Sequence, residues 1–293
     1  MGVISKIAWC DGTFNPWIGC DKVSPGCKNC YAERIQGSFG GDLWGPGSRR
    51  SVTSTKNWND VLRADKLTTH RRRLFVASLS DVFEDRDDLH VPRQKLIDLV
   101  EKTINTDWLF LTKRPENVLS LLDVDGPGWG TRSSFPDHVW IGTTVEDQRR
   151  LDERLPILVQ IPSRVKFLSC EPLLERVVLG SHARNVSWVI VGGESGRGAR
   201  PFSMEWAKSL RDECACAGVP FFFKQTGERA FDEAGRPMTV RGAGSDPEDW
   251  PEWAREARSF PRLHDVKSES SSRVNHVRRL SDLTFIRPRS RIS

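Results

Sequence analysis

With 293 residues, seven cysteines and a formal net charge of +5, the chain is long enough for a single α/β barrel or for two average domains. No apolar run approaches the roughly 20 residues of a membrane helix, and the first residues lack a charged-then-apolar leader, which predicts a soluble, unexported protein with no membrane partner, resident in the cytoplasm. An odd cysteine count with three thiols inside eleven residues excludes a secreted disulfide framework.

In chain order, the first apolar run, 4–9, reads as a strand and leads into a polar loop holding Cys20, Cys27 and Cys30. A Gly-, Ser- and Arg-rich stretch over 37–54 reads as a long loop of the lid type. Strand-like runs then recur at 74–79, 108–111, 139–141, 165–168, 188–191 and 219–223. Between them, apolar residues three or four apart predict helices over 91–103, 115–122, 146–158 and 204–217, and 125–134 is a Gly/Pro insertion. Strands alternating with helices predict parallel βαβ units. The expected fold is therefore α/β, a barrel or a doubly wound sheet of about seven parallel strands, over 1–230. The rhythm stops after this point: 231–261 is an acidic, Trp-containing extension. Residues 262–293 carry eight Lys/Arg against three Asp/Glu, a surplus equal to the whole net charge. This tail is too poor in apolar surface to offset its ordering entropy and is expected to be disordered.

In parallel α/β folds the carboxyl ends of the strands converge on one functional face. The runs end here in Ser80-Asp81, Thr112-Lys113-Arg114, Thr143-Thr144, Cys170-Glu171, Gly192-Gly193-Glu194 and Lys224-Gln225, so a polar mouth is expected. Exposure alone would also make such loops polar, and structural ion pairs occur there too.

The cysteine spacing is C-x6-C-x2-C. The final pair can turn two sulfurs toward one metal centre, with Pro25-Gly26 supplying the turn. Thiolate donors suit an iron–sulfur cluster or zinc, the latter with Cys10 or Asp21 as a fourth ligand. Three cluster ligands would leave one iron open, and three unligated thiols remain the bland alternative.

Several segments resemble those of a bacteriophage and bacterial family of unknown function, the phage three-cysteine-motif proteins, which are regarded as radical-SAM-like. They are Ile7-Ala8-Trp9-Cys10-Asp11-Gly12-Thr13-Phe14-Asn15-Pro16-Trp17-Ile18-Gly19-Cys20, Ser24-Pro25-Gly26-Cys27-Lys28-Asn29-Cys30-Tyr31-Ala32-Glu33-Arg34, Leu79-Ser80-Asp81-Val82-Phe83, Leu111-Thr112-Lys113-Arg114-Pro115-Glu116, Leu168-Ser169-Cys170-Glu171-Pro172-Leu173, Val189-Ile190-Val191-Gly192-Gly193-Glu194-Ser195-Gly196 and Phe221-Phe222-Phe223-Lys224-Gln225. The resemblance implies a partial βα barrel with a [4Fe-4S] cluster on Cys20, Cys27 and Cys30. S-adenosylmethionine (SAM) would occupy the fourth iron and yield a 5′-deoxyadenosyl radical on reductive cleavage. It also implies an electron donor, a partner protein encoded nearby and a setting in the bacterial host cell. The chain departs from radical-SAM practice in its six-residue first gap, in having Tyr31 after Cys30, and in Glu84 and Thr226 where the family often has His and Trp.

Gly192, Gly193 and Glu194 are candidates for SAM, because glycines let backbone approach a ligand and a carboxylate can receive an ammonium; Ser80 and Asp81 are further cofactor-binding candidates. Lys113, Arg114, Arg200 and Lys224 could hold an anionic substrate or the cofactor carboxylate, with Glu171 balancing them, and Cys170 could donate a hydrogen atom. The substrate is not identified by the sequence, a nucleotide or nucleic acid being plausible in a phage setting. The alternative is a non-enzymatic, metal-stabilised protein that binds nucleic acid or a partner through the basic tail and 70–73.

Overall fold

A computed structural model describes residues 5–37, 41–124 and 129–262. Seven strands form one sheet: β1 (Gly12–Phe14), β2 (Arg72–Val76), β3 (Thr106–Thr112), β4 (Val139–Thr144), β5 (Val165–Cys170), β6 (Trp188–Gly192) and β7 (Phe221–Gln225). Their order across the sheet is their order in the chain, and every neighbouring pair is parallel. The result is a half-barrel. The helices are α1 (Tyr31–Gly37), α2 (Thr55–Leu67), α3 (His90–Lys102), α4 (Val118–Val124), α5 (Gln148–Gln160), α6 (Met204–Ala217) and α7 (Glu252–Glu256).

Both sheet faces are apolar, as expected where a parallel sheet is covered on both sides. Alternate strand residues enter separate clusters. Leu74, Trp108, Phe110, Ile141, Val189 and Phe223 join the helical layer through Leu96, Val100, Leu155 and Leu210. Phe75, Leu109, Trp140, Phe167, Trp188 and Phe222 line the inner face, where Trp9 fills the hollow. The Trp9 ring centroid lies 4.6 Å from that of Phe75 and 6.2 Å from that of Trp188. Run 4–9 is therefore not the first strand. Trp9 buries more surface as a plug inside the curve than it could as one residue of an edge strand, and β1 begins three residues later.

Helices α1 and α2 were not expected from the pattern. In α2 only Trp58, Val61 and Asp65 are buried, too thin a stripe to read against its polar background. Strand β3 starts earlier than its apolar run because its polar entry is paired: Thr106 Oγ1 donates to Asp65 at 2.8 Å, and Arg71 meets Asp107 at 2.5 Å. The same pairing spends much of the basic run at 70–73, since Arg73 engages Asp11 and lies 3.8 Å over the Phe260 ring.

Part of the expected lid loop is anchored instead of free. The buried Arg50 pairs with Glu84 at 2.6 Å and donates to the carbonyls of Leu43, Gly45 and Ser48, fixing 43–50 against the chain after β2. The extension over 231–261 is built into the fold. Trp250 and Ala254 enter the outer core, Ser259 N donates to Phe221 O, and Phe260 packs on Trp188 and Phe222 at 5.5 and 5.1 Å. The basic tail beyond Arg262, with its expected disorder and nucleic-acid contacts, lies outside the described residues. Among those described, no helix is long and apolar enough to cross a membrane.

Candidate metal centre

Strand parity decides which strand-end groups face the hollow. On β5 the inner-cluster residues Val165 and Phe167 set the phase that carries Ser169 and Glu171 inward; Leu109 and Leu111 do the same for Lys113, and Phe222 for Lys224. Glu171 and Lys224 form an ion pair at 2.9 Å, and Trp9 Nε1 donates to Glu171 at 3.2 Å. Lys113 is half-buried and acts electrostatically on the Glu146 carboxylate, with no salt bridge within 4.0 Å among the described residues. Cys170 has the opposite parity. It is fully buried in the helical layer with Cys214, and burial drives its pKa well above the thiol range. The expected hydrogen-atom donor therefore faces away from the mouth.

The cysteine loop lies across these strand ends and is tied to several of them. Gly19 adopts φ +109°, and a Cβ there would stand 2.2 Å from Leu43 O, so only glycine admits this approach just before Cys20. Arg114, after β3, donates to Asp21 O at 3.1 Å and to Cys20 Sγ at 3.8 Å. Glu146, after β4, accepts from Gly26 N at 3.1 Å while paired with Arg154 at 2.9 Å. Beyond β6, Glu194 accepts from Asn29 Nδ2 at 2.8 Å and pairs with Arg200 at 2.5 Å; Arg200 in turn donates to Pro25 O at 2.8 Å. Tyr31 donates to Ser78 O at 2.7 Å, and Arg34 to Ser195 O at 2.6 Å.

The second candidate group is also partnered within the protein. Glu194 is not an open acceptor for an ammonium, because Arg200 and Asn29 occupy both its oxygens. The adjacent glycines answer to protein packing: a Cβ at Gly192 would lie 2.8 Å from Glu171 Oε1, and one at Gly193 would lie 2.1 Å from Thr226 O. Asp81 is likewise saturated by Thr112 Oγ1, Lys113 N, Phe83 N and Arg114, and Ser80 donates to Trp17 O at 3.0 Å. Arg114 and Arg200 both donate to carbonyls of the cysteine loop. Glu146 and Asn29 do comparable work and went unnoticed in the sequence, although Glu146 stands two residues past the end of a strand.

The donor set is three thiols, each half-buried in the loop. Burial and the nearby Asp81 carboxylate push the free Cys20 thiol up to about 12, against the lowering influence of Arg114; bound metal reverses that balance by taking the thiolate. Lys22 pairs with Glu33 at 2.7 Å and also feels Cys30 and Cys27, so cationic groups from two sides suit an anionic centre. Among the described residues no three Cys, His, Asp or Glu side chains converge on a single ion. Thiolate donors suit zinc and iron–sulfur clusters alike. The residues fit a cluster by donor chemistry and by surrounding charge.

Two solved chains of spore photoproduct lyase are similar in structure. One is a double mutant with bound AdoMet and dinucleoside spore photoproduct, at 13% identity and TM-score 0.42 over 83% of this chain and 62% of that one. The other is a complex with dinucleoside spore photoproduct, at 15% identity and TM-score 0.42 over 67% of this chain and 58% of that one. The chain thus spans about three-fifths of the length of either. No curated protein matches it significantly. A family model covers nearly the whole chain, residues 4–276, and the chain belongs to that family, described as a protein of unknown function (DUF5131).

Proposed function

We propose that the protein is a radical-SAM-like iron–sulfur enzyme in which Cys20, Cys27 and Cys30 hold a [4Fe-4S] cluster with one iron open to SAM. One observation carries the reading: a loop bearing three thiols is fastened across the carboxyl ends of a seven-stranded parallel half-barrel by Arg114, Glu146, Glu194 and Arg200. A cluster held by Cys20, Cys27 and Cys30 would supply the electron for reductive cleavage of SAM, the source of the hydrogen-abstracting radical. The chain's own part is to hold the thiols over the mouth, to shield that mouth from below with Trp9 and the inner aromatic layer, and to present charge within it. Lys113 is the cation available for the SAM carboxylate or for an anionic substrate such as a nucleotide or nucleic acid, while Glu171 and Lys224 form a neutral pair beside it.

The test is anaerobic purification with iron, sulfide and zinc measured per chain, followed by reduction with dithionite in the presence of SAM. About four irons with matching sulfide, and release of 5′-deoxyadenosine with methionine, are expected; replacing any of the three cysteines by serine abolishes both. A zinc protein, or a full cluster that never releases 5′-deoxyadenosine, would overturn the reading.

A further inference from the structure

The three thiols do not share one environment. Cys27 has Ser24 Oγ of its own loop at 3.9 Å, and Cys30 lies near the half-exposed Lys22. Cys20 is met by a buried side chain of the barrel. Arg114 Nη1 donates to Cys20 Sγ at 3.8 Å and to Asp81 Oδ2 at 3.1 Å, and Nη2 donates to Asp21 O at 3.1 Å. The guanidinium keeps its charge under all conditions. It is held still because Asp81 is itself fixed by Thr112 Oγ1 at 2.8 Å, Phe83 N at 3.0 Å and Lys113 N at 3.1 Å. Two carboxylates, Asp81 and Glu84, act electrostatically on Cys20, and Glu84 also answers to Arg50.

We propose that Arg114 and Asp81 form a charge pair that positions Cys20 and sets the reduction potential of the metal centre, Arg114 raising it and Asp81 lowering it. The inference rests on the cluster reading above and deepens it. A reduced cluster carries one more negative charge than an oxidised one, so a cation and an N–H donor at a ligand sulfur favour reduction, and an anion opposes it. Both are positioning residues, since neither touches the substrate.

The test is a redox titration of the reconstituted protein, followed by the electron paramagnetic resonance of the reduced cluster, with iron and sulfide counted for each variant. Arg114→Gln leaves Asp81 and Glu84 facing the sulfur, and its midpoint moves to more negative potential. Asp81→Asn leaves the guanidinium uncompensated, and its midpoint moves to more positive potential. Arg114→Lys keeps the charge without the fork and falls between wild type and Arg114→Gln. Shifts of opposite sign are not produced by a merely structural disturbance. Equal potentials, or shifts in the same direction, overturn the inference while leaving the cluster reading intact. If Arg114→Gln loads no iron, Arg114→Lys decides: loaded with a midpoint more negative than wild type it supports the inference, whereas loaded at the wild-type potential, or empty with unchanged circular dichroism, it overturns it. Wild-type protein without iron and sulfide overturns both readings together.

Discussion

At Gly142 the inner face of β4 admits no side chain, since a Cβ there would stand 2.4 Å from the Phe167 ring. Overpacking of this kind costs about 1–3 kcal/mol, and Gly142→Ala is expected to lose that much stability in chemical denaturation without altering iron content. Lys113 is a residue of the opposite type, inward, half-buried and without a salt bridge among the described residues. A charge-assisted contact to the SAM carboxylate is worth about 1.5–3 kcal/mol, so Lys113→Met should weaken SAM binding by roughly ten- to a hundredfold at unchanged iron and sulfide. Unchanged SAM affinity by calorimetry would assign the lysine to another ligand. At this scale the gathering of three thiols in one polar loop was legible, because it is a matter of their spacing in the chain. Cys170 was not. Its strand is apolar on both faces, so the alternation is visible but its phase is not, and nothing in the local sequence says which side is the hollow.

The element that matters most is the cysteine loop, whose fasteners come from three separate strand ends. Glu146 is buried with Arg154, and removing one partner of a buried pair strands the other charge. Glu146→Ala should therefore cost about 3–5 kcal/mol and lower iron retention. Glu194 gives the loop a pH dependence. Burial works to raise its pKa, but hydrogen bonds from Arg200 and Asn29 outweigh it, leaving the folded carboxyl below its ordinary value of 4.5. A depressed folded pKa contributes stability that is complete above the unfolded value and is lost as pH falls through the folded one. The difference in melting temperature between the metal-free wild type and Glu194→Gln is thus expected to be largest near neutrality and to shrink below about pH 4.5; a gap constant with pH would show that the carboxylate contributes no charge. The elements themselves were readable wherever an apolar run or a helical stripe was dense, as in α6, and unreadable where tertiary partners satisfied polar residues, as in α2 and the start of β3.

Across the whole molecule, the two ends of the described chain meet inside the half-barrel. Trp9 fills the hollow from the amino-terminal side, and Phe260, returning after α7, packs on Trp188 and Phe222 and under Arg73. The segment over 231–261 is therefore part of the core and not an appendage. Phe260→Ala should cost about 1 kcal/mol, less than the roughly 1.5–3 kcal/mol of a fully buried side chain because the ring is only half-buried, and should change the tryptophan fluorescence of the inner cluster. An unchanged spectrum would place Phe260 outside it.

By itself the sequence determined that strands and helices alternate, that the strands lie parallel, and that three thiols share one loop. Those are local properties, fixed by the period of apolar residues and by cysteine spacing. The tertiary structure alone decided which strand-end charges face the mouth and which are already spent. Arg114, Glu194 and Arg200 look like ligand-binding groups in the chain, yet Arg114 pairs with Asp81 after another strand, and Glu194 and Arg200, paired with each other, also reach Asn29 and Pro25 in the cysteine loop. A charge's role depends on whether a partner has neutralised it, and for Arg114 that partner is assigned only when the strands come together.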